Sequence, residues 1–249
     1  TPVDTIGLKL KHLVGEEFKI PAHGFSLFIQ GKSDELSNME VLHRNTTLFV
    51  MKKPPLTDTQ IVGILYAECN GPGWRQSASR DPWSPEQPLE MLEKRICLVD
   101  TGGDVEGNID ELRLDFENLL YKIPPELGDM GSLTVLHLNN NQLTGPIPPE
   151  LSSLHELTEL ILHTNRLTGG IPPELSELEN LCILGLSNNE LCGELPAQLG
   201  KLVNLQKLHW NSNGFNGLIP ETIVKLHALK VLDLSSNKLS GSIPEEIGQ

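Results

Sequence analysis

Three histidines, His137, His163 and His209, each follow a leucine in the second half of the chain. Imidazoles that share one face invite a metal such as zinc. The spacing argues against it. On short neighbouring strands, His137 and His163 are one strand apart and offset by two residues, about 8 Å between α-carbons. His209 lies three strands from His137, about 14 Å, too far to share an ion held at about 2 Å. Ser235, Asp233 and His209 contain the groups of a nucleophilic triad, but the serine and the aspartate share one strand and nothing shapes a pocket around them. Gly102-Gly103 lacks the Gly-Lys-Ser/Thr that a phosphate loop needs after its glycines. The sequence therefore points to no enzyme, no metal and no cofactor.

What positions these residues is a repeat. From Leu133 the set Leu133, Leu136, Leu138, Asn141, Leu143, Gly145, Ile147, Pro148, Leu151, Leu154 returns 24 residues later as Leu157 to Leu178. It returns again from Leu181, Leu205 and Leu229, with asparagine at 141, 165, 189, 213 and 237. A fixed period of this length is the mark of a solenoid, in which each turn can bury its apolar face only against its neighbours. The alternating leucines predict a short strand with one face in the core. The asparagine amides are placed to satisfy backbone groups of adjacent coils that burial would otherwise leave unpaired. Glycine two residues after the next leucine allows a tight backbone, and the Ile-Pro step favours an extended exit.

Leu-x-x-Leu-x-Leu followed by Asn-x-Leu-x-Gly-x-Ile-Pro resembles the plant-type leucine-rich repeat, which also occurs in algae and other protists. The resemblance covers residues 109–249 and implies an α/β solenoid: a right-handed coil of six leucine-rich repeats, the last one cut short. The first coil departs from the pattern, with Glu117 in the asparagine place and Tyr121 in the glycine place. Trp210 and Phe215 take leucine places in the fifth coil and call for a locally wider core.

A solenoid strand turns one side chain out for each one it turns in, so the register names a concave lattice. Glu111, Val135, Glu159, Ile183, Lys207 and Val231 form one column; Arg113, His137, Ile161, Gly185, His209 and Asp233 form the next; Asp115, Asn139, His163, Ser187, Asn211 and Ser235 form the third. We expect Arg113, His137, Asn139, Ile161, His163, Lys207, His209, Asn211 and Asp233 to contact a protein or peptide ligand. The net charge of −14 is uneven: residues 1–55 carry seven Lys+Arg against six Asp+Glu, leaving −15 for the rest. That balance excludes nucleic acid as the partner of the repeats, because phosphate binding needs a basic footprint.

Residues 1–55 read differently. Asp4 opens a helix with Leu8, Leu10 and Leu13 on its buried side, and Phe25–Lys32 and Asn45–Met51 read as strands. Asp-Thr-Ile, Ile-Pro, Leu-Phe-Ile-x-Gly-Lys, Leu-Ser and Thr-Leu-Phe-Val, in that order, resemble the later part of ubiquitin. The resemblance implies a partial β-grasp (ubiquitin-like) domain without its first hairpin and with one sheet edge open. It would place a ubiquitin-type recognition patch on Phe28 and Met51, with ubiquitin-receptor domains as partners and an adaptor role.

Residues 56–108 join the two parts. Thr57 and Gln60 form a capping box for a helix carrying Ile61, Ile64 and Leu65, ended by Asn70-Gly71-Pro72-Gly73. With Trp74, Trp83 and the turn Thr101–Asp104, this segment resembles the helical N-terminal cap of such repeats, its tryptophans covering the first coil. Cys182 and Cys192 stand too far apart along extended chain to bond, and Cys69 and Cys97 lack the paired arrangement of secreted caps. Free thiols favour a reducing compartment, hence a cytoplasmic location, with an extracellular one as the alternative that the repeat family implies. Asn45-Thr46-Thr47 is the one glycosylation sequon. No run of about eighteen apolar residues exists to span a membrane. Thr1 at the start and Gln249 inside a repeat suggest a fragment of a longer protein.

Overall fold

The structure, a computed structural model, describes residues 25–29, 48–52, 58–69, 96–98 and 109–247. Its contacts divide the chain into two units, Thr1–Leu56 and Thr57–Gln249. In the first, β1 (Phe25–Ile29) and β2 (Leu48–Lys52) pair antiparallel, from Phe25 opposite Lys52 to Ile29 opposite Leu48. The helix expected from Asp4 and the side chains of Phe28 and Met51 lie outside the described residues, as do Asn45, Trp74, Trp83 and the turn at 101–104.

The second unit begins with α1 (Asp58–Glu68), whose Ile61, Val62 and Leu65 are buried. Val62 takes the place expected of Ile64, which is only half-buried. The helix meets the repeats through polar contacts. Ile109 N–H donates to the Asp58 carboxylate at 2.5 Å, Leu120 N–H donates to the Cys69 carbonyl at 3.3 Å, and the Cys69 sulfur lies 3.3 Å from the Lys122 carbonyl. Burial pushes the Asp58 carboxyl above its ordinary value, against the Ile109 hydrogen bond, and nearby Asp110 adds to the rise.

Each coil then follows one plan. A strand of the first sheet is followed by a turn, a strand of the second sheet and a 3₁₀ helix. The first-sheet strands are β4 (Ile109–Arg113), β6 (Val135–His137), β8 (Glu159–Ile161), β10 (Ile183–Gly185), β12 (Lys207–His209) and β14 (Val231–Asp233). All six pair in parallel, in chain order, and β3 (Ile96–Leu98) adds antiparallel at the β4 edge. The second sheet stacks β5 (Leu120–Lys122), β7 (Gln142–Gly145), β9 (Arg166–Gly169), β11 (Glu190–Glu194), β13 (Gly214–Leu218) and β15 (Lys238–Ser240). The 3₁₀ helices η1 (Pro125–Asp129), η2 (Pro149–Ser153), η3 (Pro173–Glu177), η4 (Ala197–Lys201) and η5 (Glu221–Lys225) close the coils.

Between the layers runs a column of leucine: Leu136, Leu138, Leu143, Leu151, Leu154 and Leu157 are all fully buried, and so are their counterparts one coil on. Trp210 and Phe215 fill the fifth coil, with ring centroids 5.6 Å apart. The repeat glycines earn their place at Gly145 and its successors, where φ lies between 74° and 89° and a side chain would strain the backbone. Tyr121 holds the same conformation at φ 68° without being glycine.

A concave face and its polar ladder

The turn after each first-sheet strand is held by the repeat asparagines. Asn141 Oδ1 accepts from the Leu119 N–H of the preceding coil at 3.0 Å. Its amide nitrogen donates to the carbonyls of Leu114, Leu138 and Asn139 at 2.8, 3.0 and 3.2 Å. Asn165, Asn189, Asn213 and Asn237 repeat the arrangement coil by coil. This spine fixes the strand register, and the register fixes which side chains share the open face.

The expected columns form. Parallel pairing sets Glu111, Val135, Glu159, Ile183, Lys207 and Val231 side by side, and Arg113, His137, Ile161, Gly185, His209 and Asp233 next to them. Two members of the third column do not face outward as anticipated. Asn139 is only 8% exposed and Ser187 7%, whereas Asp115, His163, Asn211 and Ser235 at the same register stay more open to solvent. Asn139 is thus corrected from ligand contact to buried residue. Gly185 is also buried. A Cβ there would meet Ile161 Cδ1 at 3.2 Å, so the isoleucine leans over the gap.

At the first-coil end the side chains form a connected chain. Arg113 Nε donates to Glu111 Oε2 at 2.9 Å, and Arg113 Nη1 donates to His137 Nδ1 at 2.8 Å. His137 Nε2 lies 3.0 Å from Glu159 Oε2. These contacts agree on one tautomer, with the proton on Nε2 and given to Glu159. The 3.4 Å approach of Nη1 to Nε2 is the weaker geometry. His163 is partly withdrawn from solvent. Burial lowers its pKa from the ordinary 6.5, His137 and His209 lower it further, and Asp115 opposes them.

At the other end Ser235 donates to Asp233 Oδ1 through its hydroxyl at 2.6 Å and its N–H at 3.1 Å, which holds that exposed carboxyl below its usual range. The hydroxyl therefore serves the carboxylate and is not arranged as a nucleophile activated by His209. Ser187 donates to Asn211 Oδ1 at 2.5 Å. Among the described residues no three of His, Cys, Asp and Glu gather as metal ligands do.

One feature escaped the sequence reading. Phe116 is 53% exposed at φ 61°, in a place taken in later coils by Asn140, Thr164, Asn188, Ser212 and Ser236. The series of small polar residues at this place was the available signal, and phenylalanine breaks it.

The Leucine Rich Repeat family model matches residues 132–154, 156–178, 180–202, 204–226 and 228–249. The atypical first coil is not among these matches, and all of them lie outside the segment read as ubiquitin-like. No curated protein matches the chain. Among solved structures it is 42% identical to the plant peptide hormone receptor RGFR1 in complex with RGF2, at a TM-score of 0.56. That match covers 57% of this chain and 23% of the receptor, so the chain spans about a quarter of that receptor's length. It is 32% identical to the ectodomain of the receptor kinase SOBIR1 from Arabidopsis thaliana, with a TM-score of 0.58, covering 74% of this chain and 96% of that one. A chain of the Arabidopsis BIR3–SERK2 complex is 30% identical at the same TM-score, with 75% and 99% covered. With this pattern, this register and near-complete coverage of the SOBIR1 ectodomain, the chain belongs to the leucine-rich-repeat proteins.

Proposed function

We propose that this chain is a non-enzymatic binding module, the repeat region of a receptor-type ectodomain, which takes a protein or peptide ligand on its concave face outside the cell. The observation that carries the reading is the register. Parallel stacking sets Arg113, His137, Ile161, His209 and Asp233 in one outward row, where none of them is needed to close the core. Lys207, His163 and Asn211 flank that row. Neighbours described as peptide-hormone and co-receptor complexes support a peptide or protein ligand. The description of the SOBIR1 neighbour as the ectodomain of a receptor kinase supports the extracellular placement over the cytoplasmic one. The family match falls wholly on the repeats, so the receptor-type reading is better supported than an adaptor role through Phe28 and Met51.

The test is selection of a phage-displayed random-peptide pool on the purified protein, followed by titration of the selected peptides against a variant carrying His137→Ala, Ile161→Ala, His163→Ala and His209→Ala. The variant should keep the circular dichroism and melting behaviour of the parent and lose most of the affinity. Parent-like affinity in a folded variant would move the ligand to another surface.

A further inference from the structure

Arg113 is gripped from two sides on the concave face. Glu111 takes its Nε–H, and His137, itself braced by Glu159, takes Nη1–H. A guanidinium is a planar fork, so fixing two of its nitrogens fixes the direction of the third. Nη2 has no partner among the described residues, and the side chain is 40% exposed. Two N–H donors are therefore aimed outward at low conformational cost, since the ordering has been done before any ligand arrives.

The surroundings select what those donors accept. Glu111, Asp115 and Glu159 outnumber Arg113 at this end of the face, so an incoming carboxylate meets net repulsion. A neutral carbonyl does not, and a basic side chain beside it is favoured.

Resting on the reading that the concave face is the binding surface, we infer that Arg113 anchors the ligand by donating from Nη2 to a neutral carbonyl of a neutral or basic peptide, with His137 and Glu159 as positioning residues. Ile161, leaning over Gly185 two strands away, gives the same peptide an apolar seat, roughly 10 Å along the face.

The experiment uses the same phage-displayed random-peptide pool and the whole chain. The selected peptides should be poor in Asp and Glu. Arg113→Ala should weaken them by about tenfold or more, the usual cost of a hydrogen bond to a charged group. Arg113→Lys should not restore binding, because an ammonium lacks the fork. Glu159→Ala should weaken binding a few-fold, and Glu159→Gln, whose amide oxygen still accepts from His137, should rescue it. Acid-rich peptides, or full affinity in Arg113→Ala alongside a loss in Ile161→Asp, would overturn the anchor while leaving the concave face in place. Peptides indifferent to both substitutions, or no selection at all, would overturn the face itself and the anchor with it.

Discussion

A single asparagine in the spine does work that no leucine can replace. Asn189 Oδ1 accepts from Leu167 N–H at 3.0 Å, and its nitrogen donates to the Leu162, Leu186 and Ser187 carbonyls at 3.1, 3.0 and 3.4 Å. Asn189→Ala leaves the Leu167 N–H without its partner, while the three carbonyls each keep one other donor, from Asn165, Asn213 and the Thr164 N–H. A cost of about 1–3 kcal/mol follows, read as a lowered urea midpoint. The same change at Asn237, whose coil is more exposed, should cost clearly less. The five asparagines were legible from their interval alone, because burying backbone at a turn demands an amide. Their partners were not, since those come from the coil before. His163 illustrates the same limit, because its burial is a property of stacking. Its folded pKa lies below 6.5, so between the two values the unfolded chain holds more protons than the native one. Stability is therefore lost as pH falls through 6.5 towards the folded value. In urea titrations at pH 7.5 and pH 5.0, His163→Gln should show a smaller drop in midpoint than the parent.

At the scale of the element, the strands and the asparagine turn were readable and the 3₁₀ helices were not. The Ile-Pro step does exit extended, with Pro148 at φ −64° and ψ 129°, but the next proline then opens a 3₁₀ turn over Pro149–Ser153. The spacing of Leu151, Leu154 and Leu157 by three residues matches three residues per turn and carried that information. These helices pack so closely at the first coil that chain volume becomes decisive. A Cβ on Gly128 in η1 would stand 2.3 Å from the Glu150 carbonyl oxygen of η2, and backbone cannot swing aside as a side chain would. Gly128→Ala should destabilise by about 1–3 kcal/mol in thermal or urea melts. Gly131→Ala, with nothing within 4 Å of the new methyl, should leave the midpoint near that of the parent. Equal effects would mean that the contact between η1 and η2 is not what fixes the first coil.

Across the second unit, the repeats make stability a sum over neighbours. Each coil touches the one before and the one after, so what matters is that the period be kept. Deleting Leu181–Asn204 removes one whole period of 24 residues and leaves the pattern intact. β8 would then meet β12 with Leu160 beside Leu208, and Leu167 N–H would find Asn213 Oδ1 where Asn189 had been. Such a deletion should keep the strand signal in circular dichroism and a single cooperative melt, at a lower temperature because one interface is gone. Deleting half a period, Leu181–Cys192, sets Gly193, Pro196 and Gln198 where the buried Leu181, Leu184 and Leu186 had been and unpairs the asparagine spine on both sides. That protein should lose its cooperative melt. The contrast separates two ideas of this chain: an ordinary apolar core would suffer more from losing 24 residues than from losing half as many, whereas a stack of rungs suffers most from losing its step. The full-period deletion also brings His209 beside Ile161 and shortens the face by one rung while leaving Arg113 and its braces untouched. Peptides held by Arg113 alone should survive it, and peptides that span the whole face should not.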